Sequence, residues 1–341
     1  MNYLIPFLIL ITVVVFIHEY GHYYFAKKYG VGVTDFSIGF GKEIFGWNDK
    51  SGTRWKICWI PLGGYVKFFG DRNVFSQSEQ AEVLKKYNNK DQKKLFILKP
   101  LYQRSLIVAA GPIANFVLAL LIFIFIYMFV GKDMTPAIVN EVQKDSPAYI
   151  SGLKKNDRII SIDNKKVNSI LEVSTFISTS TSESIEFIIL RNSQELIFNI
   201  KPDLVESKDS LGNKIKKRMI GIKLAPFNNE FNNVKLGPTK AIFYSIKEVW
   251  FVITASLKYL GNMISGSGDS SQLGGPIRIA KITGQVAEYG IIPFLSVMAY
   301  ISISLGLINL FPIPMLDGGH LMFHFFEKLL GRPLQLSLIH I

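Results

Sequence analysis

The feature that most restricts the fold of this chain is a run of 25 residues without a charge, from Leu106 to Val130. About 20 consecutive apolar residues are enough for a helix to cross the hydrocarbon core of a bilayer. Two further segments meet this criterion, one from about Tyr3 to Ala26 and one from Ile291 to Phe311. Because 49% of all residues are also hydrophobic, we expect a multi-span α-helical membrane protein that carries soluble parts.

The first of these segments is compatible with either a cleaved signal peptide or a retained span. Its beginning has no Lys or Arg, and Ala26 is followed by Lys27 and Lys28 instead of a small-residue cleavage site. We therefore expect residues 3–26 to remain as a transmembrane helix. The single cysteine, Cys58, excludes an internal disulfide and leaves the redox compartment open.

Charge is distributed unevenly between the two long connections that separate the spans. Residues 27–104 contain 15 Lys and Arg against 7 Asp and Glu, whereas residues 131–237 contain 16 against 13. A short, strongly basic loop is typical of the cytoplasmic side of a membrane. We therefore expect residues 131–237 to be extracytoplasmic and Asp317, beyond the third span, to lie toward the cytoplasm. Since the basic residues flank spans, anionic lipid and not nucleic acid is the expected partner.

Ionisable residues interrupt the first span at the sequence His18-Glu19-Tyr20-Gly21-His22. Residues four apart lie on the same face of a helix, so the two imidazoles could hold one zinc ion while Glu19 acts on a metal-bound water. The alternative is a pair of core histidines beside a buried glutamate. That alternative is itself costly, because ionisable groups at membrane depth are unfavourable and are usually functional.

The segment after the third span contains a candidate third ligand. Pro312 and Pro314 prevent a regular helix there, and irregular backbone at membrane depth requires protein or water to satisfy it. Asp317 follows this break and precedes two glycines that permit close approach, so it is favoured over His320 and His324. Two histidines, one aspartate and an open position make a catalytic zinc site.

Residues 36–68 are predicted to form a membrane-associated β-hairpin. Polar and apolar side chains alternate from Thr53 to Ile60, which is typical of a half-buried strand, and glycines near both ends permit tight turns. The hairpin is either an ordinary surface feature or a sheet edge beside the metal. In the second case it could pair with an unwound, extended substrate.

The central part of the chain has a different character. Residues 135–225 combine short β-rich runs with mixed charge and glycine turns, and they resemble a PDZ domain of the bacterial, circularly permuted type. Such an inserted β-rich PDZ-like domain either binds an extended peptide or C-terminus, or only limits access to the membrane site.

The next region, residues 238–265, is predicted to be an interfacial amphipathic helix. Lys247, Glu248 and Lys258 interrupt its apolar face, which disfavours a fourth span. The membrane core then comprises an N-terminal half at residues 1–130 and a C-terminal half at residues 275–341.

Short motifs also occur in a recognisable order along nearly the whole chain: His18-Glu19-x-x-His22, Gly39-Phe40-Gly41, Pro61-Leu62-Gly63-Gly64-Tyr65, Gly111-Pro112-x-x-Asn115-Phe116, Gly275-Pro276-Ile277 and Asn309-x-x-Pro312-x-Pro314-x-Leu316-Asp317-Gly318. With the PDZ-like region, they closely resemble the site-2 protease family of intramembrane zinc metalloproteases. Specifically, they resemble its bacterial regulator-of-sigma-E (RseP-like) branch, with one PDZ domain. Members usually have a further span after the Asp-Gly motif, so this chain is expected to be short of a final helix.

The resemblance implies a role for each matching residue. His18, His22 and Asp317 would bind zinc, and Glu19 would be the general base. The hairpin would receive substrate, with Gly39, Gly41 and Asn309 helping to hold it. Family members cleave transmembrane segments of single-span proteins that have already been trimmed outside, such as anti-sigma factors, or clear remnant signal peptides in the bacterial inner membrane.

Two other functions compete with the protease interpretation. The first is a non-proteolytic membrane scaffold that binds peptides through the PDZ-like domain and carries an inert site. The second is a metal transporter, which predicts more paired polar groups across several spans than the sequence contains.

Overall fold

The computed structural model describes residues 3–70, 87–180, 182–208, 214–225, 232–266 and 274–331. It divides into two compact units, one formed by residues 1–122 with 280–341 and one by residues 123–279. Parts of the regions discussed above lie outside the described residues: 71–86 in the basic loop, 209–213 in the PDZ-like region and 332–341 in the C-terminal half.

The described helices are α1 (Leu4–Lys28), α2 (Asn89–Gln92), α3 (Leu101–Phe129), α4 (Pro147–Ile150), α5 (Ile170–Thr179), α6 (Pro238–Ile264), α7 (Pro276–Glu288), α8 (Ile291–Asn309) and α9 (Asp317–Leu330). A 3-10 turn covers Phe96–Leu98. The described strands are β1 (Val33–Asn48), β2 (Arg54–Phe68), β3 (Lys132–Asp133), β4 (Ile138–Val142), β5 (Arg158–Ile162), β6 (Lys165–Lys166), β7 (Ile185–Arg191), β8 (Gln194–Ile200), β9 (Asp203–Lys208), β10 (Lys214–Met219), β11 (Ile222–Ala225) and β12 (Asn233–Val234).

Three helices, α1, α3 and α8, are long and apolar enough to cross a membrane, as the sequence predicted. Their ends differ from the predicted ones. Helix α3 begins at Leu101 because its polar first turn includes Arg104, which is buried in an ion pair with Glu327. Helix α8 ends at Asn309, two residues early, because the chain turns before Pro312.

Close helix packing in the first unit depends on glycine. A Cβ built at Gly21 of α1 would lie 2.3 Å from the carbonyl oxygen of Ala110 in α3. In the same way, a Cβ at Gly306 of α8 would lie 3.0 Å from the carbonyl oxygen of Pro112. Helix α3 continues through Pro112. Small residues therefore let these backbones approach at distances that a side chain would prevent.

Strands β1 and β2 pair with each other and pack on α1, and β2 contains the predicted strand 53–60 except for Thr53. Phe36 of β1 is opposite Val66 and also opposite Trp55, so this part of β1 lies between two parts of β2. Many large apolar side chains remain exposed in this sheet, among them Phe45, Trp47, Trp59, Ile60 and Leu62. Such an apolar surface fits the predicted membrane association of the hairpin.

The second unit contains a six-stranded sheet with the order β11-β4-β5-β7-β8, and β6 pairs with β5. Its core is formed by the alternate inward residues of these strands, for example Val139, Ile159 and Phe187. Arg191 forms a bidentate ion pair with the buried Asp157, with two nitrogen–oxygen distances of 2.7 Å. Helix α6 covers the segment predicted to be an interfacial amphipathic helix, and Glu248 on it pairs with Lys132 at 3.0 Å. Its position at a membrane interface stays a prediction.

The turn between β1 and β2 is organised by the carboxylate of Asp49. It accepts hydrogen bonds from the backbone N–H groups of Ser51 and Thr53, from the hydroxyls of Ser51 and Tyr23, and from the indole N–H of Trp55. Burial alone would raise the pKa of Asp49, but these hydrogen bonds to the charged form outweigh burial and hold the pKa well below its usual range.

We expect Asp49→Asn to loosen this turn, because an amide nitrogen replaces one accepting oxygen. The loss of two or more charge-assisted hydrogen bonds corresponds to about 2 kcal/mol of local stability. The measurement is hydrogen exchange of residues 45–57 in detergent, with Asp91→Asn, a carboxyl outside this turn, as the control.

The pH dependence of the same turn has a definite sign. Since the folded-state pKa is lowered, the stabilisation is fully present above the ordinary aspartate pKa of about 4 and is lost as pH falls through the folded-state value. Protection factors of the wild-type turn should be constant from pH 7 to about 5 and then decrease. A decrease that begins above pH 6 would contradict the assignment to Asp49.

Candidate metal centre

The two histidines of the HExxH sequence lie on one face of α1, directed at α3. His18 and His22 are buried, with exposed fractions of 7% and 9%. A Cβ built at Gly111 would lie 2.2 Å from Nε2 of His22 and 2.9 Å from Cε1 of His18. Only a glycine at position 111 leaves room for both imidazoles between the two helices.

Asp317 reaches this space from the distant C-terminal part of the chain. It is the first residue of α9, directly after an irregular segment in which Met315 adopts a left-handed conformation with φ 77°. A Cβ at Gly318 would lie 2.2 Å from the carbonyl oxygen of Leu310, and one at Gly319 would lie 2.3 Å from that of Ile313. The predicted role of the glycine pair is therefore confirmed, since it lets α9 begin directly against the broken backbone.

The three side chains converge on one point. Oδ2 of Asp317 lies 3.2 Å from Nε2 of His18 and 3.4 Å from Nε2 of His22, and the two nitrogens are 3.3 Å apart. Two ligand atoms that bind one zinc ion at a tetrahedral angle are separated by about 3.4 Å. No other group of three such side chains gathers in this way among the described residues.

The hydrogen bonding of His22 leaves its Nε2 free for a cation. Its Nδ1 lies 2.9 Å from the backbone carbonyl oxygen of Ile107, which can only accept, so Nδ1 carries the proton. In the neutral ring Nε2 then presents a lone pair to the carboxylate oxygen of Asp317, which is buried and has no hydrogen-bond donor. Two acceptors facing each other in a buried site fit a bound metal ion better than a pair of core histidines.

Asn115 of α3 contacts His18 at Nδ1, the ring nitrogen that does not face Asp317. Its side-chain amide lies 3.2 Å from Nδ1 of His18, and the residue is fully buried. Oδ1 of this amide has no partner as the amide is placed. With the amide turned so that Oδ1 accepts from Nδ1–H of His18, both atoms are satisfied and Nε2 of His18 is available to a metal ion.

Glu19 lies beside the cluster and under the β1–β2 sheet. Its carboxylate accepts a hydrogen bond from the backbone of Val66 and interacts electrostatically with both histidines and Asp317. A Cβ built at Gly64 would lie 3.3 Å from Cγ of Glu19. The candidate base is thus held between the two histidines on its own helix and a strand of the hairpin.

The other residues selected from the sequence are not part of this group. His320 and His324 lie on α9, and His324 contacts the hydroxyl of Ser105 at 3.1 Å. Asn309 is the last residue of α8. Gly39 and Gly41 have φ angles of 86° and 88° at the bend of β1, and their contact with substrate stays a prediction.

Sequence reasoning missed two supports of the site. The carbonyl of Ile107 that orients His22 carries no side-chain signal at all. Arg104 of α3 pairs with Glu327 of α9 through nitrogen–oxygen distances of 3.1 and 2.5 Å. The sequence shows only two isolated charges next to apolar residues, which does not indicate that they pair.

Comparison of the chain with known proteins identifies its family. The family model of peptidase family M50 matches residues 6–341. A relative from Agrobacterium fabrum, whose name assigns it to the zinc metalloproteases, is 39% identical and covers 98% of this chain and 88% of its own length. The metalloprotease MmpA of Caulobacter vibrioides is 33% identical and covers 97% of this chain and 88% of its own length.

Among solved structures, the PDZ domain of an SdrC-like protein from Listeria monocytogenes matches 26% of this chain and 87% of its own length, with 23% identity and a TM-score of 0.22. The family match and the whole-length relatives agree with the convergence of two histidines and an aspartate on one point. This membrane protein belongs to peptidase family M50 and is a metalloprotease.

Proposed function

We propose that this protein is a zinc-dependent intramembrane endopeptidase of the site-2 protease type. The observation that carries the proposal is the meeting of His18, His22 and Asp317 within hydrogen-bond distance of one another, although Asp317 is about 300 residues away in sequence. His18 and His22 lie in a helix long enough to span a membrane, which supports cleavage within the bilayer.

His18, His22 and Asp317 would hold the zinc ion. When bound there, zinc supplies Lewis acidity toward a water molecule and a scissile carbonyl. Glu19 takes the proton of the attacking water at its carboxylate and delivers it to the leaving nitrogen of the peptide. Asn115 and the carbonyl of Ile107 hold the two imidazoles in the orientation that binds metal.

The β1–β2 sheet is proposed to receive the substrate. A peptide bond inside a helix is shielded, so a transmembrane substrate has to be unwound before its carbonyl can be attacked. An extended segment can add to a sheet edge by main-chain hydrogen bonds. The contact of Val66 with Glu19 supports this role, since it brings one strand of the sheet to the base. Gly39, Gly41 and Asn309 are proposed to contact the same segment.

The proposed substrates are single-span membrane proteins trimmed beforehand outside the cytoplasm, of the anti-sigma factor or remnant signal peptide class. The basic loop at residues 27–104 supports a location in the bacterial inner membrane with the site toward the cytoplasm. The PDZ-like domain would then be extracytoplasmic. Its strand β11 ends the sheet order in the described part of the chain, which favours a peptide ligand added at this edge.

Replacement of Glu19 tests the proposed base. We expect Glu19→Gln to retain zinc and to lose cleavage of a model transmembrane substrate by a factor of about 100 or more, because the amide cannot accept the water proton. Cleavage in proteoliposomes and zinc content of the same preparation are measured together. Full activity in this variant would refute the role of Glu19.

Metal analysis tests the ligand set. Purified protein should contain about one zinc per chain, because the three proposed ligands form one site. His22→Ala and Asp317→Asn should lose it. His320→Gln is the matched control, because His320 lies on the same helix as Asp317 and was the competing ligand in the sequence. If His320→Gln loses zinc while Asp317→Asn keeps it, the assignment of the third ligand is wrong.

Asn115 provides a separate test of how the metal is held. We expect Asn115→Leu to weaken zinc retention about 10- to 100-fold in competition with a chelator, because Nδ1 of His18 loses its acceptor. Asn115→Asp keeps an oxygen in place and should retain most of the affinity. Equal zinc affinity of the Leu and Asp variants would show that Asn115 acts only in packing.

A further inference from the structure

The second unit contains a cavity of about 420 Å³ between α5 and α6. Its walls include Thr175 and Phe176 of α5 and Phe251 and Ala255 of α6. Phe176 and Phe251 meet edge to face at 5.7 Å and so join the two helices in the cavity wall. This volume is in the range of small-molecule sites in proteins.

The charge of the cavity is strongly unbalanced. Five lysines line it, against two glutamates: Lys132, Lys165, Lys166, Lys247, Lys258, Glu172 and Glu248. Both glutamates already have hydrogen-bond or ion-pair partners. Glu248 pairs with Lys132 at 3.0 Å, and Glu172 accepts from the backbone N–H of Asn168 at 2.7 Å. Of the five, Lys132 alone has a carboxylate within ion-pair distance in the described part of the chain.

Lys258 is partly buried and faces other cations. Partial burial lowers the pKa of Lys258, and the positive charges of Lys165 and Arg218 lower it further against the opposing effect of Asp163. Arg218 is held in place by the backbone carbonyl oxygens of Ser180 and Ser182. A cationic cluster fixed in this way would be stabilised by an anion in the cavity.

One wall of the cavity continues into an exposed apolar stripe. Ile246 and Trp250 line the cavity, yet they are 53% and 66% exposed. The stripe extends along α6 at helical spacing through Ile242 and Leu257, which are also exposed. The chain has three helices long enough to span a membrane. An exposed apolar surface next to cations is what an anionic lipid at the membrane interface would contact.

We propose that this cavity binds the phosphate headgroup of an anionic phospholipid, with Lys165 and Lys258 at the phosphate and the acyl chains along Ile246 and Trp250. The lysines alone would accept a free phosphate equally well. The apolar wall is what assigns the ligand to a lipid, because a soluble anion gains nothing from it. Bound lipid would then hold α5 and α6 at the membrane surface.

The test titrates the full-length protein, in neutral detergent, with phosphatidylglycerol, with zwitterionic phosphatidylcholine, and with inorganic phosphate, and counts bound molecules by native mass spectrometry. We expect preference for phosphatidylglycerol. The double variant Lys165→Ala/Lys258→Ala should bind it about tenfold or more weakly, since each lysine near an anionic lipid contributes several-fold. Lys258→Arg keeps the charge and should retain binding.

The matched control is Lys201→Ala/Lys223→Ala, which removes the same charge from exposed ion pairs of the same unit. It should bind phosphatidylglycerol like the wild type. Equal loss in both double variants, or equal binding of phosphatidylcholine, would overturn the proposal. Binding of inorganic phosphate that Trp250→Ala leaves unchanged, with no preference for lipid, would overturn the assignment to a lipid. None of these measurements depends on proteolysis.

Discussion

The close contact of α1 with α3 is the constraint on which the rest of the membrane unit depends. Lipid tails are as apolar as the helices, so association gains little from burial and depends on packing and on polar contacts. Gly21 permits the approach from one side, and Gly111 leaves the volume that both imidazoles fill. A methyl group at either position would collide with backbone or with the rings. The candidate site therefore depends on two missing side chains as much as on the proposed ligands.

The same contact also determines how the ligands are oriented. Once α3 lies this close, the carbonyl of Ile107 fixes the proton on Nδ1 of His22, and the amide of Asn115 faces Nδ1 of His18. Both Nε2 atoms are then directed at Oδ2 of Asp317, which no donor satisfies. Buried polar atoms without partners are costly in an apolar surrounding. A divalent cation is the one partner that satisfies all three at once, and zinc matches the nitrogen and oxygen donors.

The sequence predicted the parts of this arrangement that depend on local pattern. Length and hydropathy predict α1, α3 and α8, and a spacing of four places His18 above His22 because helices repeat every 3.6 residues. The selection of Asp317 depended on the proline break that precedes it. Contacts between distant segments leave no such pattern, so the pair of Arg104 with Glu327 and the early start of α3 were not predicted. Helix α7 was missed for a related reason, since its 13 residues include polar side chains and resemble a loop.

The position of Glu19, the proposed base, beneath a strand of the β1–β2 sheet connects the proposed chemistry with the conformation of the substrate. Glu19 is next to His18 in sequence but points toward β2, where Gly64 leaves room for its side chain and Val66 donates to its carboxylate. A side chain at position 64 would meet Val15 and Glu19 of α1 and push the sheet away from the helix. The distance from sheet to base is thus set by one glycine. A peptide that adds to this sheet would arrive extended, with its carbonyl exposed near Glu19, the proposed base.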